Sequence, residues 1–378
     1  MHVEIETLEQ FDAWVSQQGT TRSHRLHRGG LTGVAVQALD LTEREQALSQ
    51  LPMSEVVFLG CQLTEWSLAD VRRRGALVLP QLDGVPFATY RNGLHDAEEL
   101  FAGLDHGYEA TPDAEIYAWT RSAAATTLPG TLAQTLHDHS VTDALDELVE
   151  HIDPGNCIGI MGGHAIERGT ETFAQAAVLG AELAAAGKVV MTGGGPGAME
   201  AANLGARLTP LGGEADPTAL QASLSQLAKV PRFDGEGGIT AWARQAAQVL
   251  AQQPGPGVSV GIPTWFYGHE PPNLFASHIA KYFSNALRED ILLRHCRGGI
   301  IYLNGAAGTT QEIFQAATGN YYVSDGVTPA PMVLVGSEQW AHRYPAWPLL
   351  QALGQGRAMA EHIHLVETLD EAVAVLTG

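Results

Sequence analysis

Residues 157–200, CIGIMGGHAIERGTETFAQAAVLGAELAAAGKVVMTGGGPGAME, hold one pattern twice. Cys157–Met161 is a continuous apolar run, as a strand buried on both faces should be, and it ends in Gly162-Gly163-His164. A helix follows over 171–186, with Gly187 as its stop. The strand Lys188–Met191 then runs into Thr192-Gly193-Gly194-Gly195-Pro196-Gly197, and a second helix covers Ala198–Leu208. Glycine thus stands at the carboxyl end of each strand, where doubly wound sheets bind their ligands.

Downstream, the alternation continues. Helical segments near 217–229 and 239–253 precede a strand at Val258–Ile262 and a proline- and aromatic-rich loop over 263–273, long enough for a lid or a base-binding wall. Residues 281–319, KYFSNALREDILLRHCRGGIIYLNGAAGTTQEIFQAATG, read as a charged helix, a strand from Gly299 to Leu303, a small-residue turn, and a helix opening near Thr309. A strand at Pro331–Val335, a helix around Glu338–Leu353, a strand at His364–Val366 and a helix from Leu369 complete the chain. The fold class is α/β: a Rossmann-like doubly wound parallel sheet over 155–378, joined by a helix and turn over 136–154 to an N-terminal α/β module over 1–135. In that module Leu8–Gln18 and EWSLADVRRRG read as helices, and SEVVFLG and ALVLP as strands.

The turn Asn304-Gly305-Ala306-Ala307-Gly308 lets backbone approach a ligand closely, and the helix after it offers unpaired N–H groups at a positive dipole end. This is an anion site. Thr309 and Thr310 add hydroxyls. Glu312 has two readings: an acid that caps or favours the helix start, or a carboxylate with work to do beside a bound anion.

The 378 residues carry a formal charge of −21, which argues against nucleic-acid polymers and anionic membrane surfaces as partners. Of 21 basic residues only Lys188, Lys229 and Lys281 are lysines, so arginine must serve most cationic roles, and it suits bidentate phosphate binding. Cys61, Cys157 and Cys296 form no framework, and neither a signal-peptide core nor a membrane-length apolar run is present; the expected setting is cytoplasmic.

Several motifs fail on inspection. Glu200 stands where a dinucleotide fingerprint needs its third glycine, and no GxxxxGK[ST] exists. Gly257-Val258-Ser259-Val260-Gly261 matches GxSxG, but Ser259 lies within a strand rather than at an elbow. No lysine is well placed for a Schiff base. The histidine pairs His24 and His27, His137 and His139, and His362 and His364 lack partners at metal-ligand spacing, so no metal is expected.

GGGPGAMEAANLGA, then EPPN, REDILL and NGAAGTTQEIF, together resemble the LONELY GUY (cytokinin riboside 5′-monophosphate phosphoribohydrolase) family. EPPN and the appended N-terminal region look more like its larger bacterial relatives, the nucleotide 5′-monophosphate nucleosidases. The resemblance covers about 155–378 and is silent on 1–135. The family's PGGxGTxxE falls on residues 304–312, with Asn304 in place of proline and Ala306 in place of the second glycine. It implies hydrolysis of the N-glycosidic bond of a nucleoside 5′-monophosphate, with Arg288 and Glu312 catalytic and Arg294 as the fallback arginine. Gly305, Gly308, Thr309, Thr310, Gly194 and Gly195 would hold phosphate and ribose, with Met199 and His164 on the base side. The resemblance further implies no cofactor and a homodimer or higher homo-oligomer, and purine, pyrimidine and N6-modified adenine are all compatible. Asn304 and Ala306 motivate the alternative of a nucleotide-binding or carrier protein without chemistry. Arg288 stands one residue further from Asn304 than the plant pattern has it, which on a helix turns a side chain by about 100°.

Overall fold

The computed structural model describes residues 3–20, 33–267, 270–324 and 326–378, so that His24, His27 and His269 lie outside the described residues. Two compact units arise: Met1–Gly93 with Ser122–Ala144, and Leu94–Arg121 with Leu145–Gly378.

The first unit is a four-stranded parallel sheet in the order β1-β2-β3-β4. Its elements are β1 (Val3–Ile5), α1 (Leu8–Thr20), β2 (Val34–Gln37), α2 (Glu45–Gln50), β3 (Val56–Leu59), α3 (Glu65–Arg73) and β4 (Leu77–Leu79). Ile5, Phe11, Val36, Leu41, Leu48, Phe58 and Val71 make its core.

The second unit begins with α4 (Ala97–Leu100) and α5 (Pro112–Thr120); helix α6 (Leu128–Glu150) is continuous across the division. There follow β5 (Cys157–Met161), α7 (Glu171–Ala185), β6 (Val189–Thr192), α8 (Ala198–Leu208), α9 (Pro217–Leu227), α10 (Gly238–Gln252), β7 (Ser259–Gly261), β8 (His278–Ile279), α11 (Asn285–His295) and β9 (Gly299–Tyr302). Helix α12 (Ala307–Tyr321), β10 (Met332–Val335), α13 (Ala346–Gly354), β11 (Ile363–Val366) and α14 (Leu369–Thr377) close the chain. All seven strands are parallel, in the order β11-β10-β9-β5-β6-β7-β8. The chain leaves β5 toward β6 and β7, then returns to the other side of β5 with β9. Strand order therefore reverses at β5/β9, and an open sheet of this kind binds ligands at the carboxyl ends of that pair.

The small residues of α7 and α8 bring the two helices together. A Cβ on Gly180 would strike the Ala202 carbonyl, and one on Gly205 the Ala177 carbonyl. That close approach sets the loops preceding both helices. Among the expected boundaries that move, α6 already begins at Leu128, ahead of the connecting helix expected over 136–154. The helix expected over Glu338–Leu353 is a π-helical segment, Glu338–Arg343, followed by α13, because Pro345 cannot continue a helix and holds Tyr344 at φ −125°. Helix α12 opens at Ala307, two residues before Thr309.

Candidate active site

Three loops meet at the carboxyl ends of β5, β6 and β9, and their backbones are wired together. The Gly163 N–H donates to the Asn304 carbonyl at 2.9 Å, and the Ala198 N–H to the Gly163 carbonyl at 3.0 Å. Gly197, at φ +75°, makes this possible, since any side chain there would collide with the Gly163 carbonyl. Asn273 of the EPPN element fixes the third side: its N–H donates to Gly194 O at 2.8 Å and its Nδ2 to Gly195 O at 3.1 Å. Met199 lies over the same turn, its sulfur 3.0 Å from where a Gly193 Cβ would stand.

Helix α12 starts exposed. Ala306 precedes it at φ −125° with no side-chain cap, and Gly308 faces open space. Alanine at 306 is therefore unstrained, and the substitution of glycine there carries little backbone consequence. Thr309 is buried against Gly305, while the Thr310 hydroxyl donates to the Ala306 carbonyl at 2.9 Å and so has its proton committed locally. The first-turn N–H groups remain for an anion. Because the helix opens at Ala307, Glu312 falls in its second turn; no acid lies in the first turn and no capping box forms. The capping reading of Glu312 is excluded.

Glu312 instead points at α11. Arg288 Nη1 is 3.9 Å from Glu312 Oε1 and 3.0 Å from Glu289 Oε2, and all three side chains are nearly buried. The same guanidinium nitrogen is 3.9 Å from the Gly193 Cβ position, which ties the cluster to the glycine turn. Arg288 thus faces Glu312 despite the one-residue offset, and Gly299, at φ +131°, opens β9 after the short connection from α11. Arg294 is elsewhere, half-exposed and paired with Asp146 at 3.1 Å.

The electrostatics are unusual for a structural ion pair. Burial, then the neighbouring Glu289 charge, push the Glu312 carboxyl up to about 8; Arg288 opposes them, and a hydrogen bond with Glu289 adds to the rise. Tyr302, on β9, is fully buried, and burial and Glu312 drive its hydroxyl well above the ordinary range. Arg288 Nε and Tyr302 Oη are buried without a hydrogen-bond partner. Such atoms are rare in folded proteins, and a cluster of them beside a perturbed carboxyl marks a place where a polar ligand would find partners.

Volume alone does not locate this chemistry. A cleft of about 590 Å³ lies between α7 and α14 and reaches Asn304, but its walls are largely apolar. His164 is exposed and lines a cavity of about 380 Å³ with Gly197, Phe233, Glu270 and the buried Arg168–Glu200 pair; neither Arg288 nor Glu312 is among its walls. Ser259 is buried in β7 and donates to the Phe275 carbonyl at 3.2 Å, as a strand serine rather than a nucleophile. Lys281 is buried against Asp113 at 2.5 Å.

A family model described as LDcluster4, the SLOG cluster4 family, matches residues 156–210. Those residues are the two strand–turn–helix units on which the fold was read. No curated protein matches the chain. Among solved structures it is similar to the molybdenum cofactor binding protein of the phototrophic bacterium Rippkaea orientalis, at 16% identity over 58% of this chain and 93% of that one, with a TM-score of 0.35. The molybdenum cofactor carrier protein MCP of Chlamydomonas reinhardtii gives 16% identity, 58% and 94% coverage and a TM-score of 0.33. For TM1055 the values are 18%, 58%, 97% and 0.34. Likenesses this remote say nothing of ligand or reaction. Among the described residues, no helix is long and apolar enough to cross a membrane.

Glu289 and Tyr302 escaped the sequence reading. Adjacent helix residues do not ordinarily face one partner, so Glu289 gave no signal next to Arg288, though the two straddle the seam with α12. Tyr302 reads simply as part of an apolar strand.

Proposed function

We propose that the second unit hydrolyses the N-glycosidic bond of nucleoside 5′-monophosphates, giving a free base and ribose 5-phosphate. The observation that carries this reading is the buried Arg288–Glu289–Glu312 cluster standing beside the exposed N-terminus of α12. The phosphate binds at Gly305, Gly308, Thr309 and Thr310, chiefly through first-turn N–H groups, since the Thr310 hydroxyl proton is committed to Ala306. The ribose then lies over Glu312, with Gly194, Gly195 and Met199 bordering sugar and base and His164 at the outer edge of the base side. Arg288 orients the phosphate or ribose and assists the leaving base. Cleavage builds positive charge at the anomeric carbon, which a buried acid and carboxylate can stabilise while handling the proton, as in glycosidases.

Glu312→Ala and, separately, Arg288→Ala are expected to lower base release at least about 100-fold with the circular dichroism spectrum unchanged. Activity retained in Glu312→Ala overturns the assignment. One observation favours a second reading, nucleotide binding without chemistry: Arg288 sits nearer to Glu289 than to Glu312, so its charge is already engaged. Calorimetric binding of a nucleotide that is never cleaved would select that reading.

A further inference from the structure

We propose that Glu289 is a positioning residue that holds one proton jointly with Glu312, so that the two carboxyl groups act as a single proton store beside Arg288. The geometry requires a partner of this kind. The Glu289 and Glu312 side chains are nearly buried, both lie on Arg288 Nη1, at 3.0 and 3.9 Å, and they are within hydrogen-bonding reach of one another. Two ionised carboxylates on one guanidinium would leave a net negative charge in a desolvated site. One shared proton makes the trio neutral, with the Glu312 O–H donating to the Glu289 carboxylate.

The remaining groups facing Glu312 cannot take that proton's place. They are Cys296 at the C-terminal end of α11 and Tyr302 from β9, and both are fully buried and held protonated by burial and by the nearby carboxyls or thiol. Arg288 Nε and Tyr302 Oη have no hydrogen-bond partner, so the site has polar atoms left to meet a substrate.

Within the hydrolase reading, on which this step rests, the proton balance closes. The C1′–N bond breaks with its electron pair on the base nitrogen, which takes the shared proton. Water oxygen bonds to C1′, and the proton that it loses returns to the carboxylate pair. The store is refilled at each turnover without any other acid or base.

The test is an infrared pH titration of the full chain between about pH 5 and pH 10, made without substrate. The wild-type protein is expected to show a protonated-carboxyl band, absent in Glu312→Gln, that disappears with a midpoint near 8. In Glu289→Gln the midpoint should fall by at least about one pH unit, and Glu289→Asp should restore it. An unmoved midpoint in Glu289→Gln overturns the shared proton. Where base is released, the alkaline limb of its pH profile should move with the infrared midpoint. A protein that shows the titration but releases no base keeps the carboxyl pair and removes the hydrolase reading; base release with an unmoved titration does the reverse.

Discussion

Glu312 is buried where an ionised carboxylate is disfavoured, and this has a consequence for stability apart from any reaction. Its carboxyl rises from 4.5 to about 8 on folding, so its contribution is complete below about pH 4.5 and is lost as pH rises through about 8. Glu312→Gln, which stays neutral, should therefore gain on the wild type between pH 5 and pH 9 by on the order of 2–4 kcal/mol, read by urea unfolding at the two pH values. A difference independent of pH would contradict the burial of this group. Arg288 and Glu312 were legible in the sequence because each sits in a motif with a spacing. Glu289 and Tyr302 were not, because what makes them part of the cluster is the packing of α11 on α12 and the placing of Tyr302 near Glu312, which no local pattern encodes.

At the scale of elements, the glycine turns join loops rather than merely permitting them. Gly197→Ala would place a side chain at φ +75° and against the Gly163 carbonyl, so a loss of about 2–4 kcal/mol is expected in denaturant unfolding, with the β5 and β6 loops uncoupled. Ala306→Gly is the contrasting case: φ is −125°, and base release should stay within about twofold of the wild type. A large gain there would mean that alanine had been obstructing the anion site. The strands β5, β6 and β9 were readable from their apolar runs, and α8 from its flanking glycine and apolar period. Helix starts were less so. That α12 opens at Ala307 is set by tertiary contacts, among them Gln339 Nε2 donating to the Gly305 carbonyl at 2.6 Å, and this shift decides whether Glu312 caps the helix or faces α11.

At the scale of the molecule, a charge of −21 repels an anionic substrate from a distance while Arg288 and the α12 N-terminus attract it nearby. Raising ionic strength from low to physiological salt should therefore raise kcat/KM for a nucleotide, the reverse of ordinary electrostatic steering. The second unit also draws on residues 94–121: Asp113 accepts hydrogen bonds from Tyr108 at 2.7 Å, Trp265 at 2.9 Å and buried Lys281 at 2.5 Å. A fragment starting at residue 145 would strand the Lys281 charge, and removal of one partner of a buried pair typically costs about 3–5 kcal/mol. It should melt well below the full chain or fail to fold; an undiminished Tm would show that Asp113 contributes nothing. The most direct measurement of function is ribose 5-phosphate release from a panel of purine, pyrimidine and N6-modified adenine nucleoside 5′-monophosphates, with the matching nucleosides as controls. Hydrolysis of at least one monophosphate, abolished in Glu312→Ala, is expected, with the unphosphorylated nucleosides left intact. Nucleotide bound tightly with no ribose 5-phosphate formed from any member of the panel would contradict it.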